Sequence, residues 1–287
     1  MKLTRTITTI FIMVITLFSY GQDSNSLLWK ISGKNLKQES YLYGTMHKIC
    51  ADSFEFKPKV KEALGKSSQL FLELDMDDPQ FSLNAQTVML NPDMANISDQ
   101  FEQEQLDTLN SFLKANYDAD MTQFGIMKPF GLISLITNSC FECENTVSIE
   151  AELIGYAQEQ KWEIYGLEEL QDQIGIFDQV AVAEQISWVN KYILELDEMK
   201  ADLVGMMEAY ENEDINYFLN STAESPEFLT LKEDLLDNRN KSWIKPIIKN
   251  AKKQTTFFAV GTAHLSGENG LINLLRAKGY TVEPILD

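Results

Sequence analysis

Histidine is nearly absent from this chain: there are two in 287 residues. Any chemistry that needs an imidazole must therefore use His47 or His264. Basic residues are also scarce, with 24 Lys and Arg against 43 Asp and Glu, for a formal charge of −19. Nucleic-acid phosphates demand basic patches, so that balance argues against nucleic acid as a partner. The sequence has no Gly-x-Ser-x-Gly and no His-Glu-x-x-His, which excludes a nucleophile-elbow hydrolase and a conventional zincin. Long hydrophobic runs are missing too. The apolar stretch from Ile7 to Phe18 is too short to span a bilayer comfortably. It follows Lys2 and Arg5 and precedes Ser19-Tyr20-Gly21, which is the layout of an export leader cut after Gly21. Residues 1–21 are then a signal peptide, and 22–287 form a periplasmic or extracellular domain with no membrane span.

Cysteine is limited to Cys50, Cys140 and Cys143. Cys140 and Cys143 have redox-motif spacing, but no βαβ thioredoxin pattern surrounds them. In an oxidising compartment three cysteines make one disulfide and one free thiol. The expected bridge is Cys50–Cys143, tying the loop after His47 to the approach to Glu150.

The two histidines share a motif. Tyr41-Leu42-Tyr43-Gly44-Thr45-Met46-His47 is echoed by Phe257-Phe258-Ala259-Val260-Gly261-Thr262-Ala263-His264. Each reads as a short apolar strand running into Gly-Thr-x-His, with the glycine allowing a sharp turn. In α/β sheets ligands gather at the carboxyl ends of strands, where Glu73 and Glu168 also fall.

The surrounding pattern predicts strands over Leu27–Ile31 and Ser40–Gly44 as a hairpin, a helix from Pro58, and a strand over Gln69–Asp75. Residues 78–96 read as loop and broken helix. Asp99 with Glu102 resembles a capping box opening an amphipathic helix. A buried helix follows from Pro129, another from Ser148, and a strand over Trp162–Tyr165. From Ile174 to Tyr210 the spacing predicts one long helical stretch, with further helices over Pro226–Leu236 and Asn238–Lys252. The chain closes as strand Thr256–Gly261, helix Gly270–Lys278 and strand Tyr280–Ile285. There is no linker and no low-complexity tract. The expected fold is α/β (α+β): a central mixed sheet from two β-GxxH-α-β halves, with a large helical insertion over about residues 80–250.

Two imidazoles and a carboxylate are an economical divalent-metal site, here His47, Glu73 and His264, with one position left open. Nitrogen and oxygen donors suit Mn, Co or Zn. The ion would polarise a carbonyl and activate a bound water, while a spare glutamate moved protons. Glu168 and Glu150 are the candidates for that proton transfer, although Glu150 reads equally well as a helix cap and Glu168 as a surface acid. Arg239 suits an oxyanion or carboxylate clamp, or an ordinary salt bridge.

Gly-Thr-Met-His47, Phe-Leu-Glu73-Leu-Asp, Gly-Leu-Glu168-Glu-Leu-Gln171, Arg239-Asn240 and Val-Gly-Thr-Ala-His264 occur in an order that resembles the TraB/PrgY/GumN family. That family includes Tiki-type metalloproteases, and the resemblance covers nearly the whole chain after residue 21. It implies a divalent-metal hydrolase acting on a peptide or protein substrate, with His47, Glu73 and His264 at its centre and Glu150, Glu168 and Arg239 around them. Where the family pattern has Gly-Leu-Asp, this chain has Ser148-Ile149-Glu150. The alternative is a non-catalytic protein that binds a peptide or signal molecule in the same cleft.

Overall fold

The computed structural model describes residues 25–287, so the leader and its cut after Gly21 lie outside the described residues. The hairpin forms from β1 (Leu28–Ser32) and β2 (Ser40–Thr45), paired antiparallel. Its turn contains Gly33, Lys34 and Asn35, all with positive φ, a conformation that glycine and asparagine accept at low cost. A two-residue strand, β3 (Ile49–Cys50), follows His47. The other strands are β4 (Gln69–Leu72), β5 (Thr146–Val147), β6 (Glu163–Gly166), β7 (Phe257–Gly261) and β8 (Thr281–Pro284).

Six strands make one mixed sheet in the order β6-β4-β7-β2-β1-β8. The neighbours β6, β4, β7 and β2 run parallel, and β1 is antiparallel to both β2 and β8. β2 is buried along its whole length and β7 nearly so, which explains their continuous apolar runs. The two Gly-Thr-x-His halves thus lie side by side at the middle of the sheet, as the repeat implied. The first continues through α1 (Pro58–Lys66) to β4, and its Pro58 at the first helical position costs no hydrogen bond.

Between β4 and β7 the chain is mostly helical. It contains α2 (Phe81–Val88), α3 (Gln103–Tyr117), α4 (Met121–Phe124), α5 (Pro129–Ser139), α6 (Ile149–Glu159) and α7 (Leu170–Gly175). It continues with α8 (Val182–Leu194), α9 (Leu196–Glu211), α10 (Ile215–Thr222), α11 (Pro226–Lys232) and α12 (Arg239–Ala251). The second half closes through α13 (Leu271–Ala277) onto β8. The insertion returns once to the sheet, as β6 beside β4, and once to a small β3–β5 ladder.

Three local expectations change. The helix expected at Asp99 begins at Gln103, because Ser98–Gln100 is a tight turn and Phe101 is extended and buried. Its capping box is Glu102 with Gln105. The long helix expected over Ile174–Tyr210 breaks twice, at the non-helical residues Val180 and Ala181 and again at Glu195 (φ −103°, ψ 31°). The chain passes from one core to the other after the second break. Ile186, Trp188 and Val189 of α8 pack into a helical cluster, which α9 still touches with Leu196 and Met199 before its Ala209 and Tyr210 join the sheet's core. Among the described residues no helix is long and apolar enough to cross a membrane.

Candidate functional site

The parallel register sets Gly44 beside Val260 and Thr45 beside Gly261, so both Gly-Thr-x-His turns leave the sheet at the same end. Neither glycine has a positive φ. Their value is space, not a sharp turn as expected from the sequence. A Cβ at Gly44 would come within 2.8 Å of Leu265 Cδ1 and 2.9 Å of Thr262 Oγ1. One at Gly261 would press to 3.2 Å on Glu73 Oε1. Thr262 Oγ1 donates to the Thr45 carbonyl at 2.9 Å, joining the motifs directly.

Beneath the second motif lies a buried charge cluster centred on Arg239. Its Nη2 donates to Glu73 Oε2 at 2.6 Å and to Glu168 Oε1 at 2.7 Å, and its Nε donates to Glu168 as well. Nη1 donates to the Leu235 carbonyl at 2.8 Å and faces His264 Nε2 at 3.2 Å. A π-helical turn over Glu233–Asn238 precedes Arg239 and offers that carbonyl. Glu73 also accepts from the Gly261 backbone N–H at 2.7 Å and from Gln173. Trp243, one turn beyond Arg239, donates its indole N–H to Glu168 Oε2 at 3.1 Å and sets its ring 4.6 Å from His264.

Asn240 fixes the His264 tautomer. Its Nδ2 donates to the Asn269 carbonyl, so its Oδ1 accepts from His264 Nδ1–H at 2.7 Å. The Nε2 lone pair is thereby aimed at Arg239. Burial pushes the His264 imidazole down to about 3, with Arg239 adding to the effect and Glu73 opposing it, so the ring is neutral at pH 7. Burial by itself would raise Glu73. The positive charges beside it and the Gly261 N–H hold it down at about 2 instead. His264, charged only in that acid range, contributes most to the lowering, followed by Arg239 and His47, and at pH 7 Arg239 and His47 are the standing cations. Burial raises Glu168, and Arg239 offsets part of that rise.

The first motif builds a second, more open pair. Glu150 Oε1 accepts from Thr45 Oγ1 at 2.6 Å and from His47 Nδ1 at 2.9 Å, and Ser148 Oγ donates to Oε2 at 3.2 Å. Glu150 is 9% exposed and His47 is 72% exposed, so the carboxylate is an anchor and the imidazole faces water. Ser148 caps α6, and Glu150 sits in its first turn, where the helix dipole favours a carboxylate. The hydrogen bond to Glu150 pushes His47 up to about 9. Water around the open ring screens that charge, so the direction holds while its size is moderated. A cavity of about 270 Å³ has His47, Glu73, Glu150, Ser148 and Gln173 in its lining, so both pairs open onto one space.

The expected metal ligands do not assemble into one open donor set. His47 is committed to Glu150, and Arg239 donates to Glu73 Oε2 and faces His264 Nε2, which itself lies 3.8 Å from Glu73 Oε1. Among the described residues no three His, Cys, Asp or Glu side chains converge to hold a metal ion. The guanidinium already supplies the positive charge that Glu73 and Glu168 need.

Residues 27–284 match the model of the TraB/PrgY/gumN family. The chain belongs to that family. Its relatives include metalloprotease TIKI2 of Danio rerio, 21% identical over 91% of this chain and 61% of that protein. Metalloprotease TIKI2 of Xenopus tropicalis is 22% identical over 91% and 60%. Metalloprotease TIKI1 of Homo sapiens is 21% identical over 91% and 62%. The chain therefore spans about three-fifths of the length of the curated relatives it matches. No solved structure matches it.

All six site residues read from the sequence fall in these two clusters. His264, Glu73, Glu168 and Arg239 form one, His47 and Glu150 the other. The sequence reading missed the roles of Thr45, Asn240 and Trp243. Thr45 was inside the repeated motif, Asn240 was next to Arg239, and Trp243 lay four residues on, on the same helix face.

Proposed function

We propose that this chain is an exported hydrolase of peptide bonds, with His47 as its proton-transfer group. Glu150 orients the imidazole through Nδ1 and leaves Nε2 with no hydrogen bond among the described residues, on the open side of the ring. A carboxylate that fixes a histidine in this way stabilises its imidazolium, so at neutral pH His47 stands ready as the proton donor. Glu73 would hold the polar end of a bound substrate only weakly, because Arg239 and Gly261 already engage both of its oxygens. The Arg239 cluster is therefore a preorganised charged floor, neutralised in place and fixed by hydrogen bonds.

The substrate class rests on the relatives named metalloproteases, and export rests on the leader pattern and the Cys50–Cys143 disulfide. The donors that a metal would use are already engaged by hydrogen bonds. The observation that carries the reading is the buried Glu150 carboxylate gripping a water-facing His47 beside a cavity. Incubating the protein with a peptide library and mapping new termini by mass spectrometry tests it. Cleavage that disappears in Glu150→Gln and His47→Ala supports it, and no cleavage with or without added Mn, Co or Zn counts against it. The saturated hydrogen bonding of Arg239 favours a second reading, a binding cleft without turnover. In that case peptides would be retained intact.

A further inference from the structure

We propose that the outer face of α12 and α13 docks on an anionic lipid surface. The chain carries 43 acids and only 24 basic residues, yet five lysines ring one groove of about 610 Å³: Lys241, Lys245, Lys249, Lys252 and Lys278. All five are exposed, and none of their ammonium groups has an ion-pair or hydrogen-bond partner among the described residues. In a chain so rich in carboxylates, five unpaired lysines on one face make a local field of opposite sign to the whole. Lys241, Lys245 and Lys249 recur every fourth residue of α12, and Lys252 just past its end extends the same stripe.

The floor decides the chemistry of the partner. Ile244, Ile248 and Leu274 line the groove between the lysines. A sulfated sugar or a polyphosphate gains nothing from such a floor. A phospholipid surface offers both an anionic headgroup for the ammonium groups and apolar groups beneath it for the floor and the lysine stems. The net charge of the molecule does not forbid this contact. Screening at physiological salt acts over about 8 Å, whereas Lys241 to Lys252 extends about 16 Å along the helix. The membrane therefore senses the patch more strongly than the acidic remainder. The other side of α12 carries Arg239, Asn240 and Trp243 into the buried cluster, so docking would hold the site in a fixed orientation to the surface.

Flotation with extruded vesicles tests the proposal. The protein is expected to float with vesicles of phosphatidylcholine mixed with phosphatidylglycerol and to stay behind with phosphatidylcholine alone. Binding is expected to fall steeply as salt rises. Combining Lys241→Gln, Lys245→Gln, Lys249→Gln and Lys252→Gln is expected to weaken vesicle binding by about a hundredfold or more. The combined Lys→Arg variant is expected to retain it. Equal binding to both vesicles, binding to neither, an unchanged Gln variant, or equally tight binding to soluble polyphosphate would each overturn the proposal. Were the Gln variant to unfold, the wild-type comparison of the two vesicles and its salt dependence decide the matter alone.

Discussion

Arg239 and Glu73 meet through a 2.6 Å hydrogen bond between side chains that are each about a tenth exposed. A charge pair so enclosed gains little net stability over an apolar pair, but removing one partner strands the other. Arg239→Ala leaves both Glu73 and Glu168 without their cation. It is expected to cost about 3–5 kcal/mol, read by chemical denaturation. A loss under about 1 kcal/mol would mean that the carboxylates are already hydrated or protonated.

The same guanidinium engages donors that a metal would use. Arg239→Met keeps the bulk and removes the charge, leaving Glu73, Glu168 and the Nε2 of His264 facing one gap. Titration calorimetry with Mn, Co and Zn is expected to show tighter binding to Arg239→Met than to the natural chain, with a larger rise in melting temperature for the variant. Tight one-to-one binding by the natural chain would contradict the view that Arg239 holds that position.

Much of the fold was legible because the sheet's centre leaves a plain trace. β2 and β7 are buried on both faces, and each carries near its end a glycine that close packing requires. The same packing repeated the motif at both histidines. What could not be read was the partner of each polar group. Glu73 and His264 suit a metal ligand set by residue type, yet Arg239 comes to them from a helix that begins 166 positions after Glu73. The π-helical turn that sets its register has no sequence signature of its own. The Glu195 break was hidden for a similar reason, since continuous helical spacing on either side does not reveal where the chain passes from the helical cluster to the sheet's core. β3 and β5 are two residues each, below the length at which alternation can be recognised.

With two histidines, imidazole titration by NMR reads each ring separately. His47 is expected to titrate above its ordinary 6.5, toward about 9, and to shift down in Glu150→Gln. His264 is expected not to titrate above about pH 5. The signs for stability follow from these shifts. His47 contributes below 6.5, and that contribution is lost as pH rises through its folded value. His264 acts oppositely: the unfolded chain binds its proton first, so stability is lost as pH falls below 6.5 toward 3. Glu73 adds to the acid loss as pH falls below 4.5 toward 2. A His47 titration at or below 6.5 would show that Glu150 does not stabilise the imidazolium.

Cys50 and Cys143 form the expected disulfide, with Cα atoms 5.8 Å apart across 93 positions, and Cys140 is free and buried. The bridge sits at the β3–β5 ladder, between His47 and the helix that carries Glu150. Cross-linking so long a loop contributes up to about 4–5 kcal/mol in chain-entropy models. Paired Cys50→Ser and Cys143→Ser substitutions are expected to lower the melting temperature and, by loosening the ladder, to slow hydrolysis. Mass mapping of the non-reduced protein checks the pairing, and a Cys140–Cys143 link would refute it.

The most direct measurement compares peptide turnover by the natural chain with that of His47→Ala, at equal concentration and with both shown to be folded by melting. His47 is 72% exposed, so the substitution removes little packing and is expected to leave the melting temperature close to natural. Loss of the proton-transfer group is expected to lower kcat/KM by about a hundredfold or more. A folded His47→Ala protein that cleaves the same bond at the natural rate would contradict the assignment, leaving the His47–Glu150 pair as a structural tie between β2 and α6.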